Sequence, residues 1–262
     1  MRDFEVVERN LRRSIECYAL AAERGETRET SGVYLASSGI ESPVFNFAML
    51  RTPVPADTSE LDRRIMTAKV FYAARGLRWT FWLCNDMLDP GIIADSRRVF
   101  ERRGLYASSR CPGMLAEKLH PATRVLPPLE CRRVRDAETR VSFCHLISSV
   151  FRLSFSTALE IYNSDRAWEK DLVAYIGFLD GQAVATAATV TSDGAVGVYS
   201  VGTMPAYRGL GAAEFMTRHV LERAREASGI ERSVIQSTNQ SHSLYERLGY
   251  RTVTRFTIYT HE

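Results

Sequence analysis

The sequence predicts an α+β protein built on a central mixed, mostly antiparallel sheet, with one folding unit used twice. Three observations point there. Residues 172–203 read as three consecutive strands joined by tight turns. A glycine-rich loop at 208–213 then feeds an amphipathic helix. A nine-residue motif also recurs at a constant separation of 145 positions.

The strands come first. Leu172 to Leu179 is apolar throughout, Asp180-Gly181 is a two-residue hairpin signal, and Gln182 to Thr191 returns as the partner. A second turn at Ser192-Asp193-Gly194 leads to Ala195–Thr203. Past the glycine loop, Ala212 to Ala227 places Phe215, Val220 and Leu221 at helical spacing. A strand (Ser233 to Gln236), a short helix (His242 to Leu248) stopped by Gly249, and a β-rich tail (Tyr250 to Thr260) complete this half. Helices at Ala137–Phe151 and Thr157–Asn163 precede the strands. The N-terminal half reads as a helix over 10–23, a strand over 44–51, a helix over 60–76, an aromatic strand over 77–84 and a short helix over 97–103. Pro121, Pro127 and Pro128 mark 116–129 as a connection, which gives an N-terminal domain over 1–115 and a C-terminal one over 130–262.

The repeat pairs Ser96-Arg-Arg-Val-Phe100-Glu101-Arg102-Arg-Gly104 with Ser241-His-Ser-Leu-Tyr245-Glu246-Arg247-Leu-Gly249, and Arg110 with Arg255. In both halves a long helix and a strand ending near Asn85 or Asn239 come just before, which favours duplication.

Composition excludes several classes. No 18-residue apolar run exists, so no membrane span is expected. The N-terminus is charged at once, unlike a signal peptide, and the five cysteines are scattered without a C-x-x-C pair. A reducing cytoplasm fits, with no metal site. The net charge is only +3, and three of the 34 basic residues are lysine. Because acids interleave the arginines, the excess of arginine reads as surface composition and no nucleic-acid partner is expected.

The chemistry resides in Met204 to Ala213. Gly209 and Gly211 permit φ > 0, so successive N–H groups converge on one point. The following helix aims its positive end there, and Arg208 adds a permanent charge suited to phosphate oxygens. A Walker loop is excluded for lack of a nearby Lys, and a dinucleotide fold for lack of an acid on the next strand.

This stretch resembles the acyl-CoA signature of the GCN5-related N-acetyltransferases, Arg/Gln-x-x-Gly-x-Gly/Ala, met by Arg208, Gly211 and Ala213, with Pro205 just upstream. Asn239 and the run Leu244-Tyr245-Glu246-Arg247-Leu248-Gly249-Tyr250 resemble the family's second signature. The resemblance covers residues 130–262 and implies acetyl-CoA as co-substrate, lying between the splayed strands 195–203 and 233–236. It implies pantetheine contacts at Val201, Gly202 and Thr203, a diphosphate on Arg208, Gly209, Leu210, Gly211, Ala212 and Ala213, and a cofactor contact at Asn239. It assigns to Tyr245 the proton that the departing thiolate takes, and to a primary amine of a small molecule or peptide the role of acceptor. A non-catalytic CoA sensor is the alternative, because the strand 195–203 lacks the carboxylate that many relatives use as base. Glu160, Asp165 and Glu169 lie toward the acceptor side without a role assigned. In the N-terminal copy Phe100 replaces the tyrosine, and 51–59 has two prolines and no Gly-x-Gly. That copy is expected to wall the acceptor pocket without holding a cofactor. Trp79, Phe81 and Trp82 are its expected core residues. Oligomeric state is not specified by the sequence, a homodimer being one option.

Overall fold

A computed structural model describes residues 1–169 and 171–261; Lys170 and Glu262, the last residue of the expected C-terminal domain, lie outside the described residues. The N-terminal half comprises α1 (Asp3–Ala21), β1 (Glu26–Thr30), β2 (Val33–Ser37), β3 (Asn46–Leu50), α2 (Thr58–Ala73), β4 (Thr80–Cys84), α3 (Ile93–Arg102) and β5 (Tyr106–Ala116). The C-terminal half comprises β6 (Glu130–Arg133), α4 (Ala137–Phe151), α5 (Phe155–Tyr162), β7 (Leu172–Leu179), β8 (Gln182–Ser192) and β9 (Ala195–Thr203). It ends with α6 (Ala212–Ser228), β10 (Ser233–Gln236), α7 (His242–Arg247) and β11 (Arg251–Thr260).

Most expected elements of the C-terminal half match within a residue or two. In the N-terminal half α1 begins at Asp3 rather than Asn10, and the hairpin β1–β2 was not anticipated. Its first strand, β1, holds Glu26, Arg28 and Glu29 on the outer edge, a polar pattern that hides it, whereas β2 is buried throughout. The long β5 was also unanticipated, although residues 106–116 are the 145-residue equivalents of 251–261.

Among the described residues eleven strands form one mixed sheet in the order β1-β2-β3-β4-β11-β5-β10-β9-β8-β7-β6. Of these strands only β3–β4 and β9–β10 pair in parallel. The last strand of each half is exchanged: β11 pairs with β4, and β5 with β10, while β5 and β11 run antiparallel at the centre. In that central ladder Arg251 faces Leu115 and Thr260 faces Tyr106, pairs that interconvert when 145 is added to one number and subtracted from the other. The two bulges obey the same operation, one skipping Val253 and the other Ser108. The repeated motif thus corresponds to an internal pseudo-twofold axis at Cys111 and Phe256.

The sheet crosses the 116–129 connection without a break, so the two halves share their hydrogen-bonded framework. Helix α1 ties them further. Its Leu11 and Ile15 enter the core around Trp79, Phe81 and Phe100, whereas Tyr18 and Ala21 enter the core around Phe143 and Tyr162. Trp82 packs against the first of these cores only partly buried. A third core lies under α6 and holds Met216, Val220, Tyr245 and Tyr250. No described helix is long and apolar enough to cross a membrane.

Candidate active site

The parallel strands β9 and β10 separate soon after they meet. Their pairing is confined to Ser233↔Val196 and Val234↔Gly197, after which β9 runs on through residues 198–203. Over the same stretch Ile235 and Gln236 pair only toward β5. One edge of β9 therefore carries backbone donors and acceptors with no strand beside them, a geometry that an extended amide-bearing ligand can satisfy. Val201, Gly202 and Thr203 stand on this edge, and the Thr203 hydroxyl is buried without a hydrogen-bond partner among the described residues.

A bulge re-aims the strand at the same point. Thr186 faces Gly202 and Ala188 faces Tyr199, so Ser200 and Val201 together oppose Ala187. Ser200 takes φ 51°, a left-handed conformation that costs a β-carbon residue energy and is held by its surroundings. Its hydroxyl lies 3.3 Å from the Tyr18 hydroxyl of α1.

The loop after β9 ends as the glycine pattern requires. Pro205–Tyr207 make a single 3-10 turn, Gly209 and Gly211 adopt φ 82° and 97°, and Gly211 is the N-cap of α6. No side chain caps that helix, so its first-turn N–H groups remain open for an anion. Arg208 donates through Nε to the Thr203 carbonyl at 3.2 Å, which anchors its guanidinium at the mouth of the loop. Leu210 is exposed, Ala212 is buried, and Ala213 accepts the Thr217 hydroxyl on its carbonyl at 2.8 Å.

The N-terminal half reverses these features at its corresponding strands, β3 and β4. β3 and β4 stay paired through Met49↔Trp82, and a further bridge joins Val54 to Leu88, which closes the gap that β9 and β10 leave open. Helix α2 is capped by its own carboxylate, the Asp57 side chain accepting from the Ser59 N–H at 2.8 Å. The preceding loop presents carbonyls rather than N–H groups: buried Arg64 donates to the Thr52 and Pro53 oxygens, the latter at 3.2 Å. Phe100 stacks on Tyr259 at 3.8 Å between ring centroids.

Tyr245 lies on α7 in the core beneath α6 and is only 3% exposed. Its ring meets Tyr250 edge-on at 5.7 Å. Burial raises its pKa well above the ordinary phenol value, partly offset by a hydrogen bond with Thr217, so the group is held in the proton-bearing form. Asn239 is exposed in the turn between β10 and α7.

Sequence reading did not identify the other face of β9, where α1 from the N-terminal half is docked. Asn10, fully buried, accepts the Tyr199 hydroxyl at 2.7 Å and donates to the Val190 and Ala195 carbonyls, each at 3.1 Å. Gly197 makes room for it, since a β-carbon there would lie 1.8 Å from Asn10 Oδ1. Tyr18, Tyr162 and Tyr199 all have pKa values raised by burial, so these three hydroxyls keep their protons. Glu160 and Glu169 are exposed, and Asp165 is paired with Arg140 at 2.6 Å. In the sequence, only the repeat at 96–104 and 241–249 hinted that a helix of one half would reach the site of the other. Among the described residues no group of three or more His, Cys, Asp or Glu side chains is arranged to hold a metal.

Comparison with known proteins bears on this geometry. Residues 140–250 match the model of the acetyltransferase (GNAT) family. No curated protein matches the chain in sequence. Among solved structures, a GCN5-related N-acetyltransferase from Kribbella flavida superposes with a TM-score of 0.73 at 19% identity, over 98% of this chain and 95% of that one. A GCN5-related N-acetyltransferase from Sphaerobacter thermophilus gives 0.59 at 14% identity, over 87% of this chain and 76% of its own. A tandem GNAT protein from the clavulanic acid biosynthesis pathway gives 0.55 at 14% identity, over 97% and 94%. At these identities the structures establish a shared fold over the full two-half length.

Proposed function

Because residues 140–250 form a domain of the acetyltransferase (GNAT) family, we propose that the chain moves the acetyl group of acetyl-CoA to a primary amine of a small molecule or peptide, within one ternary complex. The observation that carries this reading is the parting of β9 from β10 directly beside an uncapped, glycine-led helix N-terminus. Pantetheine amides would pair along Val201, Gly202 and Thr203. The diphosphate would rest on the N–H groups of Gly209 to Ala213 with Arg208 as counter-charge and Asn239 at the rim.

The amine attacks the thioester carbon, and the carbon–sulfur bond breaks. Backbone N–H at the Ser200 bulge supports the developing oxyanion. The departing thiolate takes its proton from Tyr245, which recovers one from solvent, and the surplus proton on nitrogen also leaves to solvent. Because β9 itself carries no carboxylate, the acceptor is read as entering unprotonated. The N-terminal half walls the α1-facing side of β9 through Asn10 and Tyr18 and has no cofactor site of its own, in keeping with the Asp57 cap and the Arg64 plug. The proposal places this reaction in the cytoplasm, the reducing compartment that the scattered cysteines of the sequence suggest.

The test is calorimetric titration of acetyl-CoA into the full chain and into the double variant Arg208→Glu, Gly211→Asp. Binding by the first and none by the second is expected; equal binding overturns the cradle. Thiol release is then followed across a broad panel of amines. Binding without turnover on any of them would favour the sensor reading, which the missing carboxylate on β9 supports.

A further inference from the structure

The connection between the halves is a strap that returns to the cradle. The His120 N–H donates to the Leu248 carbonyl at 2.9 Å, and Arg218 of α6 donates to the His120 carbonyl at 2.7 Å. Farther along, Leu126 and Arg124 approach Gly211: a β-carbon on that glycine would lie 3.3 Å from Leu126 Cδ2 and 3.3 Å from Arg124 Nη2. A guanidinium carried by the strap therefore stands at the N-cap of α6, beside the open N–H groups.

What holds it there is Glu214, in the first turn of α6 and only 5% exposed. A lone buried carboxylate beneath a phosphate site would repel the ligand. Here it accepts from Arg218 Nη2 at 2.9 Å and from Arg124 Nε at 3.4 Å. Two guanidiniums against one carboxylate leave the cluster positive, and the bond through Nε frees the forked Nη end of Arg124 for a second partner.

We propose that Arg124, supplied by the inter-half strap, is a second cationic ligand for the diphosphate of CoA, and that Glu214 is its positioning residue. The inference rests on the acyl-CoA reading of the 208–213 loop. It makes the connection part of the cofactor site rather than a passive tether. It also gives the duplicated architecture a reason to keep this segment close to α6.

The test uses the full-length protein with Arg124→Ala and Arg124→Lys, titrated with CoA, dephospho-CoA and acetyl-pantetheine, which has no phosphate. For Arg124→Ala the expected result is about 10- to 100-fold weaker binding of both CoA and dephospho-CoA, the usual scale for a charged hydrogen bond. The same variant should bind acetyl-pantetheine like the unmodified chain, bind CoA with a shallower salt dependence, and regain part of its affinity as Arg124→Lys. Undiminished CoA binding by Arg124→Ala would overturn this inference and leave the cofactor reading standing. A loss seen with CoA but not with dephospho-CoA would overturn the diphosphate assignment, and an equal loss with acetyl-pantetheine would make the role structural. Failure of the unmodified chain to bind CoA would overturn the cofactor reading and this inference with it.

Discussion

Cys111 and Phe256 face each other in the central ladder, and every other pair in that ladder has its symmetric counterpart on the far side of them. The consequence is energetic. β4 finds its outer partner in β11, and β10 finds its own in β5, so neither half completes its sheet with its own strands alone.

The two halves should consequently unfold as one. Trp79 and Trp82 report on the N-terminal half and Trp168 on the core around Phe143. In each variant that retains tryptophan in one half only, fluorescence and far-ultraviolet circular dichroism are expected to give the same denaturation midpoint as each other. Phe256→Ala, at a fully buried position between β4 and β5, should cost about 3–5 kcal/mol and shift both signals together. Two resolved transitions would contradict the shared framework.

Asn10 should matter more than a buried polar residue of its size usually does. Its removal in Asn10→Ala leaves the Tyr199 hydroxyl and the Val190 and Ala195 carbonyls without this partner. At about 1–3 kcal/mol for each stranded group, partly relieved by water, a loss on the order of 3 kcal/mol is expected in chemical denaturation. A change below about 0.5 kcal/mol would mean that α1 is held by apolar packing alone.

Glu8 gives a pH signature. It is buried on α1, where desolvation raises its pKa from 4.5 to about 7 against the attraction of Arg12, Arg51 and Arg9, with Asp193 adding to the rise. The folded state therefore keeps the proton over a window in which the unfolded chain releases it. The stabilisation is full below about pH 4.5 and is lost as pH rises through about 7, a swing of roughly 3 kcal/mol. Glu8→Gln should flatten the dependence of Tm on pH between 5 and 8 and be the more stable form at pH 8; parallel curves for the two proteins would refute the assignment.

Tyr245→Phe separates chemistry from packing. Under the proposed role as proton donor to the thiolate, its loss should lower kcat about 100-fold with the KM for acetyl-CoA unchanged. The stability cost should be only about 1 kcal/mol, from the bond to Thr217. Full activity would reassign the residue to packing against Tyr250.

The sequence by itself determined the cradle and the strands that lead into it. A strand, two glycines with φ > 0 and a helix N-terminus are contiguous in the chain, and their conformations follow from local sterics and unpaired N–H groups. It also pointed to a repeat, through the match of residues 96–104 with 241–249. Only the tertiary structure decided which strand completes which sheet, because β5 and β11 hold equivalent positions in the two halves and a ladder between residues 145 apart leaves no local mark. The tertiary structure likewise brought Asn10 and Tyr18 to β9 and Arg124 to Gly211. Those contacts arise where helix α1 and the strap cross surfaces built from distant segments, and a helix periodicity or a proline-rich run carries no record of the surface it will meet.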